Sequence, residues 1–254
     1  MSSPAWGRQA KGPLVIAHRG ASADAVENTI AAFRLAREQG ADGVELDVMR
    51  CATGEVVVFH DDDLGRLGGY PGDVRALSFA ELRAVELHGG TGGGERIPTL
   101  DEVLEELGTM LVNVELKSAP TWWARALDDG LASAVAAILR RHHARDQALV
   151  SSFDPLLLAR FRLRAPDIAT GLLFAHDQAR PWREAWTAPL LRPTAVHPEA
   201  VLVDARAVAA WHARGLSVNV WTVDDASELR LLATLGVDGL ITNRPKFARS
   251  VLQF

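Results

Sequence analysis

The chain has 254 residues, a formal net charge of −5, and 48% hydrophobic against 23% charged residues. That balance excludes a disordered, collagen-like or coiled-coil chain, and its mild acidity argues against nonspecific nucleic-acid binding, which needs a basic face. A single cysteine, Cys51, excludes an internal disulfide and a cysteine-based zinc centre. The opening stretch MSSPAWGRQAKGPL has no apolar run of signal-peptide length. No run of about 18 apolar residues occurs anywhere. The expectation is a soluble, cytoplasmic protein with no membrane span.

In chain order, the first strand is expected over Leu14–His18, followed by a helix over Glu27–Gln39 that Gly40 ends. Strands are then expected over Gly43–Val48 and Glu55–His60. Residues 49–54 are too few for a helical crossover between them. Residues 61–98 are glycine-rich and hold one short helical stretch, Ser78–Leu87; they read as an insertion over one end of the domain. The second half resumes a regular alternation. Helix Leu100–Leu107, strand Leu111–Lys117, helix Leu131–His143 and strand Ala148–Phe153 come first. Helix Pro155–Arg164 and strand Thr170–Phe174 follow, with Asp154-Pro155 as a cap and first-turn proline. Helix Ala205–Arg214, strand Leu216–Val223, helix Ala226–Leu235 and strand Asp238–Thr242 complete the series, and Thr194–Val196 is an ambiguous strand-like fragment. Eight strands in about 240 residues suit a (β/α)8 TIM barrel; a doubly wound open sheet is the alternative, and the recurrence of polar residues at strand ends favours the barrel. With no internal repeat and no linker, residues 1–254 read as a single domain.

The unusual residues stand at strand ends. The first strand closes with His18, Arg19 and Gly20; the second carries Glu45 and Asp47; the third closes with His60 and Asp61; the fourth carries Glu115 and Lys117. In a parallel barrel these ends share one face, which carries active sites. A strand has period two, so Glu45 and Asp47 share a side, as do Glu115 and Lys117. Buried carboxylates are costly unless paired or bound to a metal. Glu45, Asp47 and Glu115 with water match one hard divalent cation, Mg²⁺ or Ca²⁺. The plainer reading is ion pairing, Glu45 with Arg19 and Glu115 with Lys117. His18 and His60 suit an acid–base pair, because imidazole titrates near neutral pH. Arg19 offers a planar donor fork for an anion and Lys117 a point charge; with a cation they describe an oxyanion site, most naturally for phosphate.

With those residues in view, the sequence resembles the glycerophosphodiester phosphodiesterase family. The shared series runs from about residue 14 to residue 245. It comprises HRG at His18–Gly20, ENT at Glu27–Thr29, GVELDV at Gly43–Val48, VVVFHD at Val56–Asp61 and IPTLDEVL at Ile97–Leu104. NVELK at Asn113–Lys117, SSFD at Ser151–Asp154, HP at His197–Pro198, WTV at Trp221–Val223 and GVDGLITNRP at Gly236–Pro245 complete it. The resemblance implies a barrel with a small insertion after the third strand. It implies Glu45, Asp47 and Glu115 as ligands of one divalent metal, and His18 and His60 as the acid–base pair. Arg19 and Lys117 would lie near the phosphate, and Trp221 would line the substrate pocket. The sequence departs from the family pattern at Val26, where proline is usual, at Leu67-Gly68 in place of threonines, at Ala52-Thr53-Gly54 and at Asn243, where aspartate is frequent.

The implied activity is metal-dependent hydrolysis of small-molecule glycerophosphodiesters to glycerol 3-phosphate and an alcohol. A lysophospholipase D-like or cyclising enzyme on lysolipids, and a noncatalytic phosphate-ester binding protein, stay open at this level. Simpler readings suffice elsewhere. Trp122-Trp123 reads as core or insertion packing, His142-His143 as a helix C-terminus, Asp62 and Asp63 as solvated loop charges, and Cys51 as incidental. His197-Pro198 reads equally as pocket lining or as a structural turn.

Overall fold

The computed structural model describes residues 4–6, 12–89, 92–119, 121, 129–178 and 191–252; Trp122-Trp123 lies outside the described residues. Strand β1 (Leu14–His18) leads through HRG and ENT into helix α1 (Ile30–Glu38), whose N-terminus is capped by the Thr29 hydroxyl. Strand β2 (Gly43–Arg50) follows, then β3 (Val56–Val58). The insertion carries helices α2 (Gly65–Gly68) and α3 (Phe79–Ala84) and the hairpin β4 (Leu87–Gly89) and β5 (Gly92–Glu95). Helix α4 (Leu100–Leu107), β6 (Leu111–Leu116), α5 (Leu131–Arg141), β7 (Ala148–Ser152), α6 (Pro155–Arg164) and β8 (Ala169–Phe174) come next. Strand β9 (Ala195–Pro198), α7 (Ala205–Ala213), β10 (Ser217–Val220), α8 (Ala226–Leu235), β11 (Gly239–Thr242) and α9 (Pro245–Leu252) end the chain order.

Eight of these strands are parallel staves. The order β1-β11-β10-β9-β8-β7-β6-β2 is closed by pairing of β1 with β2, His18 level with Glu45. Closure removes every sheet edge among the staves. The fold is therefore the expected (β/α)8 barrel, with the insertion after the third strand in chain order. Two strands exchange the parts that the sequence suggests. The run Glu55–His60 is not a stave: β3 pairs antiparallel with the end of β2, Val48 level with Val58 and Arg50 with Val56. The five residues between them, 51–55, allow only a hairpin, since a parallel return needs a crossover of about a dozen residues or more. The remaining stave is β9, only four residues long and ending in proline, which is why Thr194–Val196 is a weak strand signal.

Helix ends follow side-chain chemistry. Thr99 with Glu102 and Ser78 with Glu81 form reciprocal capping boxes, and Asp154 and Asp225 accept from first-turn amides. Each such cap is worth about 1 kcal/mol. Apolar side chains fill three kinds of space. Val44, Leu46, Val112, Val114 and Val150 face the helices on one side of the barrel, and Val15, Val196, Val218 and Leu240 on the other. The bore is packed by Ile16, Leu149, Ala169, Ala195 and Ile241, with Trp6 beneath them, its indole N–H donating to the Gln147 carbonyl at 3.1 Å. The insertion has its own core, in which Val57, Phe59, Leu64, Leu82 and Ile97 are fully buried. Burying Phe59 alone contributes about 2–3 kcal/mol. That core anchors β3 over β2, so that His60 stands at the same mouth as the stave ends. No helix among the described residues is long and apolar enough to cross a membrane.

Candidate active site

The C-terminal ends of β1, β2 and β6 and the end of β3 surround a cavity of about 240 Å³. Seven of the eight expected site residues line it: His18, Arg19, Glu45, His60, Glu115, Lys117 and Trp221. The eighth, Asp47, lies directly behind, 1% exposed, its carboxylate in contact with Arg19 and Lys117. Parity explains the convergence. Glu45 and Asp47 enter the bore from β2, and the register sets Asp47 level with Glu115 on β6.

Glu45, Asp47 and Glu115 are buried, and each offers a carboxylate oxygen within 4.8 Å of the other two. Arg19 and Lys117 do not neutralise them evenly. The Arg19 guanidinium approaches Asp47 at 3.2 Å, and Lys117 Nζ lies 3.0 Å from Glu115 and 3.5 Å from Asp47. Burial raises all three carboxyls, but Lys117 and Arg19 hold Asp47 down at about 2. Burial, together with Asp47 and Glu115, pushes Glu45 well above the usual carboxylate range. Burial raises Glu115 to about 7 in spite of Lys117. Three buried carboxyls, two of them resisting ionisation for want of positive charge, are what a hard divalent cation would relieve. The donor set fits such an ion. Ion pairing accounts for Glu115 with Lys117, but Arg19 meets Glu45 only through its backbone N–H, at 3.1 Å.

The HRG turn is built for this contact. Arg19 has φ 56 and Gly20 φ 84, both left-handed, and a Cβ on Gly20 would stand 2.7 Å from the Ala32 backbone. Only glycine fits there. The turn aims the Arg19 N–H at Glu45 and its guanidinium at Glu27, 2.8 Å away, and at Asp47. The ENT motif supplies the other half: Asn28 Nδ2 donates to Asp47 at 2.9 Å, and Glu27 links Arg19 to Arg66 on α2.

The two histidines have different partners. His18 Nδ1 lies 2.7 Å from Asn243 Oδ1. The amide orientation of Asn243 is determined by Asp224, whose carboxylate accepts Asn243 Nδ2 at 2.6 Å and Asn243 N at 2.8 Å. Asn243 Oδ1 therefore accepts, His18 Nδ1 donates, and neutral His18 keeps a lone pair on Nε2, which faces Glu45 at 3.9 Å. Burial and Arg19 lower His18 to about 4. His60 Nδ1 instead lies 2.6 Å from the Asp61 carboxylate, which Arg66 Nε holds from the other side at 2.7 Å. His60 also lines a second, outer cavity of about 430 Å³ with Asp61, Asp62, Asp63 and Ser118.

Trp221 forms one wall of the inner cavity. Its indole N–H donates to the His197 carbonyl at 2.8 Å, and Phe153 meets it edge-on with centroids 5.4 Å apart. His197 is itself fully buried in the bore, and the space for its ring comes from Gly171, where a Cβ would stand 2.6 Å from Nε2. Asp62 pairs with Arg75, and Asp63 accepts the Gly65 N–H at 2.7 Å, so neither is merely solvated. His142 caps α5 and contacts Asp101 at 2.7 Å. Cys51 is buried within 3.3 Å of Glu55. Sequence reasoning assigned no role to Asn28, Arg66, Asn113, Asp224 or Asn243, and brought Asp61 to the mouth without naming its contact with His60. For Asn113 a signal existed, since it precedes Glu115 by two residues and so shares its side of the strand.

Comparison with known proteins places this geometry in a populated group. Residues 18–247 match the model of the glycerophosphoryl diester phosphodiesterase family. A glycerophosphodiester phosphodiesterase from Caldanaerobacter subterraneus subsp. tengcongensis is 34% identical, the alignment covering 92% of this chain and 95% of the relative. A phosphodiesterase of Oleispira antarctica, solved in complex with the product sn-glycerol-3-phosphate, superposes with a TM-score of 0.84 at 31% identity, covering 96% of this chain and 98% of that one. Glycerophosphodiester phosphodiesterase from Thermotoga maritima gives a TM-score of 0.74 at 29% identity over 94% and 98% of the two chains.

Proposed function

The chain belongs to the glycerophosphoryl diester phosphodiesterase family and is an enzyme of that class, and from this premise we propose that it hydrolyses glycerophosphodiesters to glycerol 3-phosphate and an alcohol with the help of one divalent cation. The observation that carries the reading is one cavity lined by two imidazoles, a guanidinium, an ammonium and two buried carboxylates, with a third carboxylate, that of Asp47, directly behind them. Glu45, Asp47 and Glu115 would hold the cation, Mg²⁺ or Ca²⁺, which when bound supplies Lewis-acid polarisation of a phosphoryl oxygen. Arg19 and Lys117 place fixed positive charge where the phosphoryl oxygens gain negative charge. Trp221 and Phe153 give the substrate carbons an apolar wall.

The histidines divide the proton work. His18, its Nδ1 hydrogen committed to Asn243, takes the proton of the attacking oxygen on Nε2. That oxygen belongs to water, or to the neighbouring glycerol hydroxyl, in which case a cyclic phosphate forms first and is then opened by water. As the new P–O bond forms, the P–O bond to the alcohol breaks, and His60 delivers a proton to the departing oxygen. His60 suits this part because it borders both cavities, the outer one being where an alcohol leaves. The acidic and polar rim of the outer cavity suits a water-soluble headgroup on the departing alcohol.

Phosphorus NMR of the purified protein with glycerophosphocholine, in Mg²⁺, in Ca²⁺ or with a chelator, tests the reading. Glycerol 3-phosphate should appear only with a cation. A transient cyclic phosphate signal would assign the attack to the glycerol hydroxyl. Equal turnover in chelator, or release of phosphocholine, would overturn it.

A further inference from the structure

Asn113 lies on β6 two residues before Glu115, so both side chains enter the bore from the same side, about 6–7 Å apart along the strand. It is 1% exposed and lines the inner cavity, yet neither its amide nitrogen nor its amide oxygen has a hydrogen-bond partner. Buried amides are almost always satisfied, and an exception asks for an explanation. Ser151, His197 and Asn219 also carry an unpaired buried atom in the bore, but among the described residues with such atoms Asn113 is the neutral one that reaches the cavity.

We propose that Asn113 is a specificity-determining residue whose amide reads the hydroxyls of the substrate's glycerol moiety; this rests on the function proposed above. An amide presents one donating and one accepting end, and a vicinal diol is its complement. Phosphate only accepts, and Arg19 and Lys117 already serve it. The apolar part of the lining, Phe153, Leu173, Trp221 and Ile241, suits the carbon backbone of glycerol. The departing alcohol lies the other way, since His60 opens onto the outer cavity. The glycerol end therefore points inward, past the carboxylates, to the tier that Asn113 occupies.

The test compares two substrates and one stability measurement. Asn113→Leu removes both amide ends while keeping the same branching of side-chain heavy atoms. It breaks no hydrogen bond within the protein, so the Tm should stay level or rise. Its kcat/KM for glycerophosphoethanolamine should fall about 10–100-fold, and at least tenfold further than for bis(4-nitrophenyl) phosphate, which has no glycerol. Asn113→Ser, which keeps one hydroxyl, should recover part of the difference and carries the same comparison if the leucine variant does not fold. An equal loss on both substrates would place Asn113 in support of the reacting centre and overturn the inference; so would no loss on either, or a fall in Tm that accounts for both. Failure of the underlying reading is separate: wild-type protein would then leave glycerophosphoethanolamine intact.

Discussion

His18 stands on a barrel stave and is backed by a neutral amide, whereas His60 stands at the end of a hairpin strand outside the barrel and is backed by a carboxylate. The first support is deep and rigid: β1 is hydrogen-bonded on both sides, and Asn243 and Asp224 come from the far end of the chain. The second rests on the insertion, through Asp61, Arg66 and the apolar cluster under β3. A stave can aim a base into an enclosed cavity, and a hairpin laid across the mouth can place an acid where the leaving group exits. The fold thus supplies two identical side chains with unlike surroundings.

The largest effect concerns what lies between them. Burial holds Glu115 at about 7 in the metal-free protein, and a ligand must be deprotonated to bind a cation. Glu115 and Glu45, both raised by burial, must give up their protons to hold a cation, so below pH 7 affinity should fall at least tenfold per pH unit, or roughly a hundredfold or more between pH 7 and pH 5. Calorimetric titration with Mg²⁺ or Ca²⁺ in buffers of different ionisation enthalpy reads both the affinity and the released proton. A flat profile from pH 5 to 8 would break the assignment of Glu115.

A smaller effect is expected behind His18. Asn243→Asp sets a second carboxylate against Asp224, at the place of a hydrogen bond now 2.6 Å long. kcat should fall about tenfold with little change in KM, since one misplaced hydrogen bond behind a base is worth about 1–1.5 kcal/mol. Asp224→Asn in the same chain should restore most of it by returning a donor. If the double variant were no better than the single one, the Asp224–Asn243–His18 chain would not position the base. Smallest is Arg66→Gln on the hairpin side. Arg66 grips Asp61 and Glu27 but is 47% exposed, where ion pairs are weak. A loss of about three- to tenfold in kcat at unchanged cation affinity is expected; loss of the cation instead would mean that Arg66 acts through Arg19 and Asp47.

Much of this arrangement is legible in the sequence, because it depends on local rules. β-branched runs and glycine stops locate most staves. Helices α4, α6 and α8 run over the stretches expected from their helical period, and α6 starts at the Asp154 cap that the sequence shows. Period two alone puts Glu45 with Asp47 and Glu115 with Lys117 on common sides. The exchange between β3 and β9 is not legible, since both are short apolar runs and only pairing distinguishes a stave from a hairpin arm. Nor, apart from Asp61, the chain neighbour of His60, are the partners that tell the histidines apart. Asn243 meets His18 across 225 residues of chain, and Arg66 meets Glu27 across 39. Such contacts exist only once the barrel has closed.

The division of labour is tested most directly by the leaving group. A 4-nitrophenyl ester departs as a stable phenolate and needs no proton, whereas an alkyl ester such as glycerophosphocholine does. We predict that His60→Ala loses about 10²–10⁴-fold in kcat/KM on glycerophosphocholine but less than tenfold on a glycerol 4-nitrophenyl phosphodiester, while His18→Ala loses about 10²–10⁴-fold on both. The opposite pattern, with the 4-nitrophenyl ester rescuing His18→Ala and not His60→Ala, would exchange the two roles and contradict the account.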